Sequence, residues 1–259
     1  MRLAALLVGL AASGCHLVFD LEPGANDQCW NTKLLGHDED TDDIEDGCDN
    51  CPGDTNDDQA DSDEDGVGDL CDPEPQTPGE HIAFFDAFTS PDARWEAFGN
   101  GVWSIAGEAV QSGLVEDGTL VLHEEFVNAT VQTSFTGQTV IPPADTPSIV
   151  GVYVRIPPGQ ETTHPIPGVL CHSYAKDAKI LKVESVPGAD PSVMEPFEEA
   201  GTVVHLRLSA LGVCAGWRDE LDAHRLDLGF GQASGKIGLY THNSQARFGS
   251  VTVVESPLR

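Results

Sequence analysis

The sequence predicts a mainly β protein: an antiparallel two-sheet β-sandwich preceded by an irregular, Asp-rich segment. Three observations carry that expectation. From His81 onward, short apolar segments rich in Val and Ile are broken by Gly, Pro, Asn and Asp, with no sustained helical period. Between Asp38 and Glu74 there are 18 carboxylates and no Lys or Arg. A Pro-rich run from Pro73 to Gly79 separates the two regions. At 259 residues the chain can hold one sizeable core plus smaller appendages. Its 43 acidic against 13 basic residues give a formal charge of -30, which repels nucleic acid and anionic surfaces and favours cations as partners.

Taken in chain order, residues 1–14 read as an export signal: Arg2 is the positive start, Leu3 to Ala12 the apolar stretch, and the whole is too short to span a bilayer stably. Ala12-Ser13-Gly14-Cys15 resembles the lipobox of bacterial lipoproteins, with Ala where that family prefers Leu. The resemblance implies cleavage ahead of Cys15, a diacylglycerol on its thiol, and a membrane held through a lipid anchor. His16 is not the Asp that enteric bacteria use for inner-membrane retention, so the resemblance implies an outer-membrane lipoprotein. The competing reading is an ordinary secretory signal cut near Ala11 or Ala12. Residues 15–36 are then a tether. Without Cys15 six cysteines remain, an even set suited to an oxidising compartment, and they allow 15 pairings.

Residues 37–72 look at first like a solvated acidic tail. Their spacing says otherwise. The run Asp38 to Asp49 recurs 23 residues later as Asp61 to Asp72, with acids, an apolar residue and a cysteine in register. Calcium takes six to eight hard oxygen ligands, and an EF-hand-like loop offers them at alternating positions. In the second repeat Asp61, Asp63 and Asp65 take positions 1, 3 and 5, Gly66 the sharp turn, and Val67 a backbone carbonyl; Asp69 and Asp72 complete the shell. The same register assigns Asp38, Asp40, Asp42, Ile44, Asp46 and Asp49 to the first repeat. So many neighbouring carboxylates repel without a cation, so folding and binding are expected to be coupled.

Cys48-Asp49-Asn50-Cys51-Pro52, Asn56-Asp57-Asp58-Gln59 and Asp61 through Asp72 resemble thrombospondin type 3 repeats, over about one-seventh of the chain. That resemblance implies calcium wrapped with little regular secondary structure, Asn56 and Asp58 as further ligands, and disulfides Cys29–Cys48 and Cys51–Cys71. The first repeat departs from the pattern, with Asp43 in place of the turn Gly and Glu45 in place of the second Gly, which predicts a weaker site. The linker, residues 73–80, is expected to extend as a semi-rigid polyproline spacer.

Residues 81–259 have room for about 12 strands, with Ser148 to Ile156, Thr202 to Ser209 and Arg247 to Glu255 among the clearest. Phe84-Phe85-Asp86-Ala87-Phe88 with Trp95, and Val102 to Val110, resemble the opening of concanavalin A-like, laminin G-like jelly rolls. Gly235 to Tyr240, followed by Ala246 to Val253, resembles their closing hairpin. Cys171 and Cys214 fall in predicted strands; a disulfide between them would staple the sandwich, and two buried thiols are the alternative.

Fold does not choose function here, because sandwiches of this kind host lectins, adhesion modules and glycoside hydrolases. There is no Gly-x-Ser-x-Gly elbow, zinc helix or phosphate loop. Glu220-Leu221-Asp222-Ala223-His224 lacks the second Glu that retaining glycosidase chemistry needs, and reads better as a polar loop. Glu124-Glu125 would point to opposite faces of a strand. Trp95, Trp103 and Trp217 read as core anchors rather than sugar platforms. The expected function is a calcium-binding envelope lipoprotein whose metal-stiffened stalk presents a sandwich that binds glycan or protein. A jelly-roll carbohydrate-active enzyme is the alternative, and a purely structural envelope protein a third reading.

Overall fold

A computed structural model describes residues 29–105, 110–112, 115–140, 148–163, 165–174, 180–187, 192–196, 203–217 and 224–257. Cys15 and the expected signal lie outside the described residues, as do Glu220 and Asp222. After one 3-10 turn (Thr32–Leu34) all regular structure among the described residues is β. The strands are β1 (His81–Asp86), β2 (Trp95–Gly99), β3 (Trp103–Ile105), β4 (Val110–Ser112), β5 (Val115–Leu122), β6 (Phe126–Val127), β7 (Ala129–Val140) and β8 (Ile149–Ile156). They continue as β9 (Gly168–Tyr174), β10 (Ile180–Val186), β11 (Ser192–Pro196), β12 (Val203–Ser209), β13 (Val213–Trp217), β14 (His224–Asp227) and β15 (Ser234–Glu255). The described residues form fifteen strands where about 12 are expected, short pairs such as β3–β4 filling the opening of the domain.

Two antiparallel layers face each other. One runs β11-β10-β9-β8-β15-β5-β2, the other β1-β15-β7-β12-β13-β14. β15 belongs to both: Lys236 to His242 pair with β8, and Ser244 to Glu255 with β7. The expected closing hairpin is therefore corrected to one 22-residue strand. It changes layer at Asn243, which adopts φ 48°, and register irregularities between Gln245 and Arg247 and between Phe248 and Val251 absorb the bend.

Alternation explains the core. Val150, Val152 and Val154 on β8, with Leu181 and Val183 on β10, point inward against Val204, Leu206 and Leu208 on β12. Phe248 packs between Trp103 (5.9 Å) and Phe135 (6.0 Å). Trp95 packs edge-on to Phe84 (5.9 Å) while its Nε1 donates to Asp86 Oδ2 at 2.8 Å, the arrangement a buried indole requires. The core-anchor reading thus holds for Trp95 and Trp103. It fails for Trp217, which lies on the outer face of β13, stacked on His205 across the strand pair at 5.4 Å.

All three expected disulfides form: Cys29–Cys48, Cys51–Cys71 and Cys171–Cys214. The last joins β9 of one layer to β13 of the other, with both residues fully buried. Among the described residues no helix is long and apolar enough to cross a membrane.

Candidate metal centre

The two acidic repeats fold into loops that share one hydrogen-bond plan, offset by 23 residues. Asp61 accepts from the N–H groups of Glu64 (2.8 Å) and Gly66 (2.9 Å); Asp38 accepts from Thr41 (2.8 Å) and Asp43 (3.0 Å). Asp65 Oδ1 accepts from Val67 N at 3.0 Å, and Asp42 Oδ1 from Ile44 N at 2.9 Å. Short carboxylate side chains bonding backbone a few residues ahead curl the chain without helix or sheet. The result brings one carboxylate oxygen each from Asp61, Asp63 and Asp65 within 4.8 Å of one another, and likewise from Asp38, Asp40 and Asp42.

The first loop closes despite Asp43. That residue adopts φ 75°, the left-handed turn that Gly66 adopts at φ 95°. Asp tolerates this region better than most residues, at a cost of about 1 kcal/mol. Asp43→Gly is therefore expected to raise calcium affinity of the first loop by up to about fivefold in a titration, and an unchanged or weaker affinity would remove the strain argument. Gly68 has a different reason to be Gly: a Cβ there would lie 2.4 Å from Asn50 Oδ1 and 2.8 Å from Cys51 Sγ.

Not every expected ligand joins a cluster. Asp69 is bonded through both oxygens to Ser62, and Asp46 to Glu39 N and His37 Nδ1, so these two brace the loop entrances. Asp58 is exposed and caps Ala60, and Asn56 bonds Asn50 and Gln59. Asp72 does approach the second cluster, where burial and the charges of Asp65, Glu80 and Asp63 push its carboxyl up to about 6. Asp49 stands likewise in the first, raised to about 6, chiefly by burial and then by Asp42 and Asp46 against opposing hydrogen bonds. Burial, then Asp49 and Asp42, push Asp40 up to about 8. Glu80, buried beside the second cluster, was missed because it sits in the linker, outside the repeat.

These sites pass a test of fit to a divalent cation. Asp72 Oδ2, Asp40 Oδ2 and both oxygens of Asp63 are shielded from solvent with no well-formed hydrogen bond. Buried acceptors are rarely left so, and several like charges held together raise the free energy further. A hard cation with oxygen ligands relieves both conditions at once.

The acidic module does not project. Val67, Cys51 and Cys71 form a small apolar cluster with Val254 of β15 and Ile82 of β1. Arg207 of β12 donates from Nη2 to the Leu70 carbonyl at 2.7 Å and from Nε to Gln132 Oε1 at 2.9 Å, and His205 Nδ1 lies 3.6 Å from Asp54 Oδ1. The expected stalk is corrected to a docked module. The expected extended linker is corrected to a turn, with the N–H groups of Gln76 and Thr77 bonding the Glu74 carbonyl and those of Gly79 and Glu80 captured by Asp65 Oδ2. Between module and sandwich lies a groove of about 1140 Å³, with Trp217, His205 and Arg225 on one wall and Asp54, Asp57 and Asp58 on the other.

The outer face of the opposite layer carries a second polar group of side chains. Tyr240 Oη donates to Asp117 Oδ1 at 2.6 Å, His242 Nδ1 lies 2.7 Å from the same oxygen, and Tyr153 meets Tyr240 edge-on at 5.4 Å. On β9 and β10, His172 Nε2 and Lys182 Nζ bond Glu184 at 3.0 Å and 2.6 Å. Burial raises the Glu184 carboxyl, but the bonds from His172 and Lys182 outweigh it and hold the group at about 2. Glu124 and Glu125 lie in the bend before β6 rather than on a strand, and Glu124 pairs with Arg94 at 3.3 Å.

No family model matches the sequence, and no curated protein matches it. Among solved structures, a prokaryotic β-1,3-1,4-glucanase (lichenase) derived from a mouse hindgut metagenome is similar with a TM-score of 0.50 and 12% identity, over 67% of this chain and 99% of that one. A protein of unknown function with a galectin-like fold from Bacillus subtilis gives a TM-score of 0.49 and 15% identity, over 69% of this chain and 97% of that one. The likeness to the glucanase establishes the jelly-roll fold of the sandwich and nothing about activity.

Proposed function

We propose that this chain is a calcium-binding lipoprotein of the cell envelope, anchored through Cys15, whose acidic module rests on a glycan-recognising sandwich. The calcium reading rests above all on Asp72 Oδ2 and the two oxygens of Asp63, shielded from solvent without a well-formed hydrogen bond beside the second cluster. Asp61, Asp63, Asp65 and Asp72 would hold one ion, with Asp38, Asp40, Asp42 and Asp49 offering a second site. Bound calcium would supply charge neutralisation and would fix the loop. Calorimetric titration of calcium into the purified protein is expected to show saturable binding. An Asp63→Ala and Asp65→Ala double variant should lose the second-loop component; binding that survives unchanged would remove that assignment.

Support for the glycan part is coarser. The glucanase that shares the fold acts on a glycan, and the outer-face row of Asp117, Tyr240, His242 and Glu184, seated on buried Tyr153, carries donors and acceptors of the kind that sugar hydroxyls need. Hydrolysis is the second reading of the same row; besides an ionised carboxylate such as Glu184 it would need a second carboxyl that keeps its proton near neutral pH.

Anchoring is tested separately. Cys15→Ser is expected to move the protein from the membrane to the soluble fraction of cells, since a lipid-free chain loses its acyl anchor. Retention of the variant in the membrane would discard the lipid at this position.

A further inference from the structure

The hydrogen-bond plan shared by the two loops does not stop at Asp72. At the same 23-residue offset it continues through residues 73–80, the segment that leads into β1. Asp49 Oδ1 accepts from Cys51 N at 2.7 Å, and Asp72 Oδ1 from Glu74 N at 2.6 Å. Asp54 N donates to the Cys51 carbonyl at 2.9 Å, and Thr77 N to the Glu74 carbonyl at 2.9 Å. Asn56 N closes the first loop on Asp42 Oδ2 at 3.0 Å, and Gly79 N closes the second on Asp65 Oδ2 at 2.9 Å. Pro52 and Pro75 share the register, while Glu74 stands in the place of Cys51. Residues 72–80 are thus the opening of a third repeat, which keeps the backbone course after its cysteine is lost.

In that register Glu80 stands where Asp57 does, and the two side chains go different ways. Asp57 is exposed on the wall of the groove. Glu80 is only 2% exposed, and its N–H bonds Asp65 Oδ2 at 2.7 Å, so its own backbone pins it to a carboxylate of the second cluster. Asp72 Oδ2, beside the same cluster, is shielded from solvent with no well-formed hydrogen bond. Among the charges that raise the Asp72 carboxyl, that of Glu80 ranks ahead of that of Asp63, a member of the cluster itself. Turning one more carboxylate inward among others is costly unless a cation offsets it. We propose that Glu80 is a ligand of the second-loop cation, contributed from outside the Asp-rich repeats by the residue immediately before β1. The inference rests on the calcium reading above and adds a ligand to it. Glu80 joins Asp61, Asp63, Asp65 and Asp72, whereas the first loop has Asp38, Asp40, Asp42 and Asp49 with Asp57 turned to solvent. Affinity for a hard cation depends on the count of charged oxygen ligands, so the second loop fills before the first.

The test titrates calcium into the full mature chain by calorimetry, wild type beside Glu80→Gln, and follows the component that the Asp63→Ala and Asp65→Ala double variant loses. Gln has the same shape without the charge, so ligation predicts that the affinity of this component falls by at least about tenfold while the other component is unchanged. A carboxyl that only repels its neighbours predicts the opposite sign: an equal or higher affinity in Glu80→Gln overturns the proposal. Bound water gives a second readout, from the luminescence lifetimes of europium in light and heavy water, in a chain whose first loop is emptied by Asp38→Asn and Asp40→Asn. Glu80→Ala is expected to add about one water to the bound ion, because solvent takes a vacated position on a hard cation, and an unchanged count overturns the assignment. Absence of the second-loop component from the wild type sinks the calcium reading itself, a distinct result. Should Glu80→Gln fail to fold, Glu80→Asp keeps the charge but withdraws the carboxylate by one methylene, with weaker second-loop binding expected and an unchanged affinity counting against the proposal.

Discussion

Chelating calcium is expected to lower the midpoint of thermal unfolding of the whole chain by about 5–10 °C, not merely to loosen a peripheral loop. A ligand present at about 100 times its dissociation constant stabilises the folded state by about 2.7 kcal/mol, counted here for the second site alone. In a chain of this size each kcal/mol moves the midpoint by roughly 2–4 °C. The effect reaches the sandwich because the second loop is tied to β1 through Gly79 and Glu80, to β12 through Arg207, and to β15 through Val254. Elements joined by such contacts unfold together rather than as independent units. Differential scanning calorimetry in calcium and in chelator measures it. Two transitions, with only a small early one sensitive to calcium, would show that module and sandwich unfold independently.

Replacing Cys171 and Cys214 by Ala is expected to cost about 4 kcal/mol, the chain-entropy value for a loop closed over their separation of 43 residues. The position of the bond argues for a full effect. The two layers are joined along β15, which runs through both, while β9 and β13 lie farther out along their respective layers. There the layers are held by the buried sulfurs and by packing of Leu181 and Val183 against the opposite layer, so cutting the staple frees an edge that β15 does not restrain. Both cysteines are fully buried, and the small residues that replace them leave little else to fill the gap. Urea unfolding of the double variant reads the loss as a lower midpoint with similar slope. A midpoint equal to that of the wild type would mean that packing alone holds that edge.

Much of the fold and of the candidate site was legible in the residues before any coordinates. The alternation in Val203–Ser209 and in Ile149–Ile156 specifies strands because a strand with one buried face must repeat with period two. The acidic loops were legible for a similar reason. Their curl is made by bonds that span only two to seven residues, such as Val67 to Asp65, Gly66 to Asp61 and Ser62 to Asp69, so the spacing of the carboxylates already contains the geometry. Even the weak point at Asp43 was visible, although the backbone there adopts the left-handed turn that the missing Gly would have adopted. Asn56 and Asp58, further ligands by resemblance, have other partners: the Asn56 side chain bonds Asn50 and Gln59 while its N–H bonds Asp42 of the first cluster, and Asp58 caps Ala60.

By itself, then, the sequence determined the local chemistry: the alternation of the clearest strands, and the spacing that brings together Asp61, Asp63 and Asp65, and likewise Asp38, Asp40 and Asp42. Tertiary structure alone decided where the acidic module rests. The stalk and the extended linker were reasonable for a Pro-rich, highly charged segment, but Arg207 and Leu70 meet across 137 residues, and no local periodicity encodes such a contact. The same holds for Glu80, drawn to the second loop by the fold of a linker, and for β15, whose two halves read as a hairpin until their partners in opposite layers made one strand of them. The physical reason is common to all three. A hydrogen bond or ion pair between distant residues forms only after the layers have packed and brought them together, so its existence is a property of the assembled surface rather than of either segment.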